Sequence, residues 1–351
     1  MTSPWSPTKA DVAELLAGEP SFRIEQLWHG LYDEGKTPSQ LTTLPKSLRA
    51  KLETSFQPAL ELQTKQENKD TVKWLWRLHD NEQIETVLMH YKERSTVCIS
   101  SQAGCAMGCG FCATGQAGYD RNLSVGEIVE QLIVARKAAN PRRLSNVVFM
   151  GMGEPFANYQ NVMAVIDRIL TDLKIGARHV TVSTIGLVPQ MLMFAEERLQ
   201  VGLAVSLHAA TNDLRSELVP VNKRHPIEDV VAASQLFRER TGRRVSFEWA
   251  MIDGTNDSLR DAEQLAKVAS KARAHVNLIP LNPTPGWPTK GSPPDRIDTF
   301  VNHLRQAGTN VTVRKNRGTD IDAACGQLRA KEQAVPVKIS KPRPPDPIGG
   351  P

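Results

Sequence analysis

The stretch Cys105-Ala-Met-Gly-Cys109-Gly-Phe-Cys112 carries three cysteines at the spacing C-x3-C-x2-C. Three thiolates at this spacing can hold three irons of a four-iron cluster and leave the fourth iron without a protein ligand. A complete set of four cysteines normally serves electron transfer, whereas an incomplete set leaves an iron on which a small molecule can bind. The stretch therefore predicts an iron–sulfur site that performs chemistry on a bound molecule.

A structural zinc site is the alternative interpretation of the same cysteines. Such sites are usually closed by four Cys or His ligands. Cys98 lies shortly before the motif and can supply the fourth ligand. The spacing alone does not decide between the two metals, and both interpretations stay open at this point.

The cysteine count and the apolar pattern predict where the protein acts. The chain has 351 residues and five cysteines, an odd number with three of them closely spaced. This pattern is untypical of a secreted disulfide framework and favours a reducing compartment. Charged residues such as Lys9 and Asp11 interrupt any signal-peptide core, and no long apolar run indicates a membrane span. We therefore expect a cytoplasmic protein that does not enter a membrane.

Short apolar or β-branched runs alternate with helical patterns through most of the chain. The clearest helical pattern is Val125–Ala139, with Ser124 as its N-cap and Glu127 at its third position. The alternation predicts an α/β fold with a parallel sheet, in which ligand-binding groups collect at the carboxyl ends of the strands. The predicted strands are residues 96–100, 146–150, 179–184, 203–207, 245–252, 276–279 and 310–314.

Glycine and polar residues follow several of these runs. Gly151-Met152-Gly153-Glu154-Pro155 comes after residues 146–150, where glycines permit close approach of a ligand and Glu154 can face a cationic amine. A turn with a surface carboxylate explains the pentapeptide equally well. Ser183, Ser206-Leu207-His208 and Asn282 occupy similar places, although a lone histidine there is more often a structural group.

The remaining segments predict a modular chain. Residues 1–50 favour a small helical accessory domain, and residues 51–90 favour a β-rich connector with a hairpin from 71–78 and 84–88. Residues 91–330 form the predicted core, and the proline-rich residues 331–351 form a predicted disordered tail. The net charge is +5, with basic clusters such as Arg243-Arg244 that fit either RNA phosphates or a solvated face.

Six motifs together resemble the RlmN family of radical S-adenosylmethionine (SAM) enzymes, which methylate C2 of adenine in 23S ribosomal RNA and transfer RNA. The resemblance covers about residues 20–330. The sister family Cfr shares the motifs and methylates C8 of the same ribosomal adenosine. Beside the cysteine motif, the matching stretches are 98–105, Arg121-Asn122-Leu123, Gly151-Met152-Gly153-Glu154-Pro155, Ser206-Leu207-His208 and 320–328.

The resemblance implies a fold, cofactors and partners. The fold is a partial (β/α)6 radical SAM barrel, with a small N-terminal helical domain and a short β extension. The cofactors are a [4Fe-4S] cluster and SAM. The partners are 23S ribosomal RNA, transfer RNA and an electron donor such as flavodoxin or ferredoxin, and the protein is expected to be a monomer without membrane contact.

The resemblance also implies roles for single residues. A methyl group passes from one SAM to Cys325, and a radical generated from a second SAM activates that methyl group for addition to the base. Cys98 then resolves the adduct through a transient disulfide with Cys325, and Glu85 is the proton acceptor. Without the resemblance, buried structural thiols and a solvated strand carboxylate explain the same three residues. Cys105, Cys109 and Cys112 hold the cluster, and the SAM pocket is lined by Gly153, Glu154, Ser183, Ser206, Leu207, His208 and Asn282.

Two further functions remain open at this point. One is Cfr-like methylation of adenine C8, because the shared motifs serve both positions. The other is a zinc-stabilised RNA-binding protein without catalysis, which follows from the zinc interpretation and the basic clusters. Iron analysis and identification of the modified nucleoside separate the three functions.

Overall fold

The computed structural model describes residues 2–282, 290–314, 318, 321 and 326–328. The predicted tail, residues 331–351, and Cys325 lie outside the described residues. The chain forms two compact units. The first contains the described residues up to Gly104 together with Asp120–Val180, and the second contains Cys105–Tyr119 and the described residues from Thr181 onward. The predicted domain boundaries stay predictions.

The first unit begins with three short helices, α1 (Lys9–Leu15), α2 (Phe22–Tyr32) and α3 (Lys46–Ser55). Thr8 and Asp11 form a capping box that starts α1, because each side chain accepts a backbone N–H of the other residue. Leu27 and Leu31 bury one face of α2 completely. Val12 of α1 and Leu52 of α3 are also fully buried, so each helix places apolar side chains in the interior.

An antiparallel meander follows. Strands β1 (Glu61–Glu67), β2 (Thr71–Arg77), β3 (Gln83–His90) and β4 (Arg94–Cys98) pair in sequence order. The predicted hairpin is thus confirmed as β2 and β3. Both strands are buried over most of their length, which explains their apolar and aromatic content.

The first unit then changes to parallel pairing. After the short strands β5 (Gln102–Gly104) and β6 (Tyr119–Asn122), helix α5 (Val125–Ala139) leads to β7 (Arg143–Phe149), which pairs parallel to β4. Helix α6 (Tyr159–Thr171) follows. The predicted bounds of α5 are confirmed, as is its cap: Ser124 Oγ accepts the N–H of Glu127, whose carboxylate accepts the N–H of Ser124 at 2.8 Å.

The second unit is a parallel sheet with helical crossovers. Its strands lie in the order β8 (Val180–Thr184), β9 (Gly202–Ser206), β10 (Ser246–Met251), β11 (His275–Pro280) and β12 (Val311–Val313). Its helices are α4 (Ala113–Ala117), α7 (Val188–Glu196), α8 (Asn212–Leu218), α9 (Ile227–Thr241), α10 (Leu259–Ala272) and α11 (Pro294–Gln306). Strands β9 and β10 are buried over almost their whole length, as is usual for strands inside a parallel sheet.

The predicted α/β class with parallel strands is confirmed. Each of the seven predicted core strands is present, with ends shifted by a few residues, since strand ends depend on pairing and not on local sequence alone. Among the described residues, every helix is too short or too polar to traverse a lipid bilayer.

Candidate active site

The cysteine loop of the second unit is ordered by its own main chain. Cys105 N–H donates to the Gly118 carbonyl at 2.6 Å, and Cys112 N–H donates to the Cys109 carbonyl at 3.2 Å. Helix α4 starts directly after Cys112, and its Gly115 approaches the loop closely. A Cβ at Gly115 would lie 3.1 Å from the nitrogen of Cys109, which explains why a glycine stands there. These main-chain contacts fix the shape of the loop.

The three cysteines differ in exposure. Cys109 is buried in an apolar cluster with Phe111, Ile185 and Leu218, whereas Cys105 and Cys112 are half-buried. A site with one buried thiol and two partly accessible thiols is screened from water on one side and open on the other. Such surroundings strengthen electrostatic interactions with any charged group that the thiolates hold.

The cysteine donor set fits an iron–sulfur cluster. Thiolates are soft ligands that iron–sulfur clusters require, and all three lie on one ordered loop. Among the described residues, no three His, Cys, Asp or Glu side chains are arranged to hold a single metal ion. A four-iron cluster does not require three side chains to converge on one ion, because each thiolate binds a separate iron.

Three predicted pocket residues lie at the end of strand β9 or directly after it. Leu207 and His208 both donate their backbone N–H to the Glu248 carbonyl, at 3.0 and 3.3 Å. Ser206, at the end of β9, pairs in register with Glu248 of β10. Ser183 is half-buried near the end of β8, where it pairs with Ala204. The predicted position of these groups at the carboxyl ends of parallel strands is confirmed.

His208 is neutral and is hydrogen-bonded to the backbone. Its Nδ1 accepts the N–H of Ala250 at 3.0 Å, so its proton resides on Nε2. Complete burial, with a smaller contribution from Arg215, lowers the pKa of His208 to about 3. The ring meets Phe111 edge-on, with centroids 4.4 Å apart. His208 thus connects the cysteine loop with the end of β9 without adding a charge.

Asn282 lies just beyond β11 and is buried. The described chain resumes at residue 290, where Lys290 O accepts the N–H of Asp253 at 2.9 Å. The sequence placed Asn282 at the exit of a strand, and this position is confirmed.

Gly153 and Glu154 belong to the first unit, beyond the end of β7. Gly153 adopts a positive φ of 97°, and a Cβ there would lie 2.5 Å from Gln102 Cβ. Gln102 Oε1 also accepts the N–H of Glu154 at 2.8 Å. Glu154 Oε1 accepts the N–H of Phe156 at 3.0 Å, and its residue is only 4% exposed. The alternative of a surface carboxylate is therefore wrong.

Glu85 and Cys98 lie on neighbouring strands of the first unit. Glu85 is 4% exposed on β3, and Oε1 lies 3.1 Å from Lys73 Nζ. Cys98 is buried at the end of β4, opposite Val87. Ser100 Oγ donates to the Glu85 carbonyl at 2.6 Å and ties the segment after Cys98 to β3. The alternative of a solvated carboxylate at Glu85 is wrong, because the strand is covered on both faces.

Cys325 lies outside the described residues, but the residues after it are described. The carbonyl of Gly326 accepts the N–H of Ala113 at 2.9 Å, and the carbonyl of Leu328 accepts Thr114 Oγ1 at 2.6 Å. Ala113 and Thr114 begin α4, directly after Cys112. The segment that follows Cys325 is therefore fastened to the helix that follows the cysteine loop.

Sequence reasoning missed two buried polar residues, Gln131 and Arg215. Gln131 Oε1 accepts Ser100 N–H at 2.9 Å and Thr86 Oγ1 at 2.8 Å, while its amide donates to the Ser100 carbonyl at 3.0 Å. Its signal was a polar residue on the apolar face of α5. Arg215 is fully buried on α8. An arginine that follows one leucine in a short helix does not by itself indicate burial.

The comparisons with known proteins agree with this geometry. Residues 99–269 match the family model of the Radical SAM superfamily. A probable dual-specificity RNA methyltransferase RlmN of Halalkalibacterium halodurans is 46% identical, over 90% of this chain and 89% of the relative. The protein of the same name from Salinispora tropica is 49% identical, over 90% and 89%.

A solved structure supports the same assignment. The crystal structure of a radical SAM methyltransferase from Sphaerobacter thermophilus is 46% identical and superposes with a TM-score of 0.92. The match covers 94% of this chain and all of the solved chain. This chain belongs to the RlmN family of radical SAM enzymes.

Proposed function

We propose that this protein is a radical SAM methyltransferase that methylates C2 of adenosine in 23S ribosomal RNA and in transfer RNA. The targets are an adenosine of the peptidyl-transferase region and one of the anticodon loop. The observation that carries the proposal is the 46–49% identity, across nine-tenths of the chain, to relatives named as dual-specificity RNA methyltransferases. The enzyme acts in the cytoplasm as a monomer.

Cys105, Cys109 and Cys112 hold the [4Fe-4S] cluster of this proposal. The cluster and SAM, once bound, supply a 5′-deoxyadenosyl radical by reductive cleavage of SAM. An electron donor such as flavodoxin or ferredoxin delivers the electron. The zinc-stabilised binder is the competing proposal, and it needs a closed ligand set instead.

The pocket residues bind and orient SAM. Glu154 contributes a negative carboxylate suited to the amino group of SAM, and its fixed position at the turn keeps that carboxylate in one orientation. His208 contributes a neutral ring, which avoids repulsion of the positive sulfonium. Gly153, Ser183, Ser206, Leu207 and Asn282 complete the proposed pocket.

Cys325 carries the methyl group in this proposal, because adenine C2 has no basic lone pair that could attack SAM directly. Two SAM molecules are consumed in each turnover, one to methylate Cys325 and one to activate its S-methyl group. After the base is joined to the methylene carbon, Cys98 forms an S–S bond with Cys325. The bond between the Cys325 sulfur and the methylene carbon then breaks, its electron pair stays with that carbon, and a proton added there completes the methyl group.

Glu85 is the proton acceptor of the proposed reaction. Its carboxylate lies on β3, and the Glu85 carbonyl is tied to Ser100 in the segment after Cys98. Burial beside Lys73 holds the carboxylate in a defined orientation. A general base needs both the ionised form and a fixed position.

The test is nucleoside analysis after reaction. Anaerobically reconstituted protein is incubated with reductant, SAM and unmodified 23S ribosomal RNA or transfer RNA fragments, and digested nucleosides are identified by mass spectrometry. We expect 2-methyladenosine from both RNAs. Formation of 8-methyladenosine would assign the Cfr-like activity, and stoichiometric zinc without iron would assign the RNA binder.

A further inference from the structure

Arg215 is a buried cation at the ends of two strands. Its Nε donates to the Leu207 carbonyl at 3.2 Å, and its Nη2 donates to the carbonyls of Ile185 at 2.6 Å and Ser206 at 3.5 Å. Ile185 follows β8, and Ser206 and Leu207 end β9. One guanidinium thus holds together the strand ends that carry the proposed SAM pocket.

The guanidinium hydrogen-bonds only to neutral oxygens in the described part of the chain. Its remaining group, Nη1, donates to Asn222 Oδ1 at 2.8 Å and to the His225 carbonyl at 3.4 Å. No carboxylate among the described residues forms an ion pair with Arg215. Charges that are buried in proteins are normally paired or bind an ion, because their transfer from water is costly. We therefore expect an anionic group close to Arg215.

The cysteine loop packs against the helix that carries Arg215. Leu218 belongs to the apolar cluster that contains Cys109, and Leu214 and Cys112 pack against that cluster. The side chain of Ile185, whose carbonyl accepts from Arg215, belongs to the same cluster.

We propose that Arg215 is a positioning residue that compensates the negative charge of the thiolate-held cluster and raises its reduction potential. The inference rests on the proposed function, because it needs the cluster to be present. Reduction adds one electron to a cluster that is already anionic with its thiolates. A fixed positive charge in a low-dielectric surrounding stabilises the more negative, reduced state. Arg215 thus favours the electron transfer that precedes SAM cleavage.

The test compares charge with shape at position 215. Arg215→Lys keeps the charge, Arg215→Gln keeps a hydrogen-bond donor without charge, and Arg215→Met keeps neither. Arg224→Met is the matched control, because Arg224 lies nearby in sequence and is exposed. Each reconstituted holoenzyme is analysed for iron and sulfide, and its midpoint potential is measured by an anaerobic redox titration.

The expected result separates the variants by charge. The midpoint potential should fall in Arg215→Gln and Arg215→Met, and it should stay close to the wild-type potential in Arg215→Lys and Arg224→Met. Loss of the cluster from both neutral variants, with retention in Arg215→Lys, also supports the proposal. A merely structural role would not make the potential follow the charge.

Two results would overturn the inference. One is a neutral variant with full iron content and an unchanged midpoint potential. The other is loss of the cluster from all three variants at position 215. The lysine of Arg215→Lys would then carry the positive charge without retaining the cluster. Failure of the proposed function has a different signature, because wild-type protein itself would then bind no four-iron cluster.

Discussion

Lys73 Nζ lies 3.1 Å from Glu85 Oε1, and both side chains are almost completely buried. Lys73 pairs in register with Val87, so Glu85 is its diagonal neighbour on the same face of the β2–β3 ladder. The ion pair thus follows from strand register. A slip of one residue would move Glu85 to the opposite face and separate the charges.

Removal of Lys73 should destabilise the protein. In Lys73→Met, the Glu85 carboxylate stays buried without its ammonium neighbour, and the free energy of unfolding should fall by about 3 kcal/mol. Lys73→Met/Glu85→Leu should recover much of this loss, because no charge is then buried. Urea denaturation of the two single variants and the double variant measures the coupling.

The exposed pair of Arg77 and Glu61 offers the control for this cycle. Arg77 Nη2 lies 2.6 Å from Glu61 Oε1 on the adjacent β1–β2 ladder. Solvent screens this pair, so Arg77→Met should leave the unfolding transition almost unchanged. Equal losses in Lys73→Met and Arg77→Met would contradict the importance of burial.

Loss of one cluster ligand should abolish SAM cleavage. Cys109→Ala leaves two thiols on the loop, too few to retain a cluster with one open iron. We expect loss of iron, sulfide and deoxyadenosine formation from reconstituted protein. Cys98→Ala is the matched control, because it removes a buried thiol outside the proposed ligand set. This variant should retain iron, sulfide and deoxyadenosine formation. Full iron content in Cys109→Ala would contradict the assignment of Cys109 as a cluster ligand.

The roles of Cys98 and Cys325 should separate in a crosslinking experiment. Cys325→Ala cannot build a carbon bridge to the base and should give no protein–RNA adduct. Cys98→Ala should accumulate the adduct, because the thiol that breaks the carbon–sulfur bond is missing. Denaturing gels with labelled RNA, under conditions of SAM cleavage, compare the two variants. An adduct in Cys325→Ala would reverse the assignment.

Glu130 should make the stability of the fold depend on pH. Burial raises its pKa to about 7 from 4.5, although Ala59 N–H at 2.8 Å and Ser3 Oγ at 3.1 Å donate to it. The folded state therefore binds a proton that the unfolded state has lost between these two pH values. The free energy of unfolding should fall as pH rises through this window, by about 3 kcal/mol.

Glu130→Gln should remove this part of the pH dependence. The neutral amide resembles the protonated acid, so the stability of the variant relative to wild type should increase from pH 5 to pH 8. Thermal or urea unfolding at several pH values provides the measurement, with the exposed Glu53→Gln as a surface control. A difference between variant and wild type that stays constant with pH would refute the buried-proton explanation.

Local signals account for what the sequence predicted well. The capping box of Ser124 and Glu127 lies within four consecutive positions, and the apolar runs specify buried strands such as β9. The residues at the strand ends followed from the general geometry of parallel sheets. These features need no knowledge of distant contacts.

Long-range contacts account for what the sequence could not predict. Gln131 is satisfied by Ser100 and Thr86, and Arg215 by carbonyls from two strand ends, so their partners become neighbours only after folding. The burial of Glu85 was equally hidden, because alternation along β3 does not reveal that both faces are covered. Buried polar residues of this kind depend on the tertiary structure.

The hydrogen bonds from Ala113 to Gly326 and from Thr114 to Leu328 have a thermodynamic consequence. They join the C-terminal segment to the first turn of α4, whose preceding residue is a proposed cluster ligand. Linkage is reciprocal: if binding of the proposed cluster orders this turn, it strengthens the docking of residues 326–328, and their docking strengthens cluster retention by the same factor. Iron content and protection of the C-terminal segment from proteolysis would then rise and fall together.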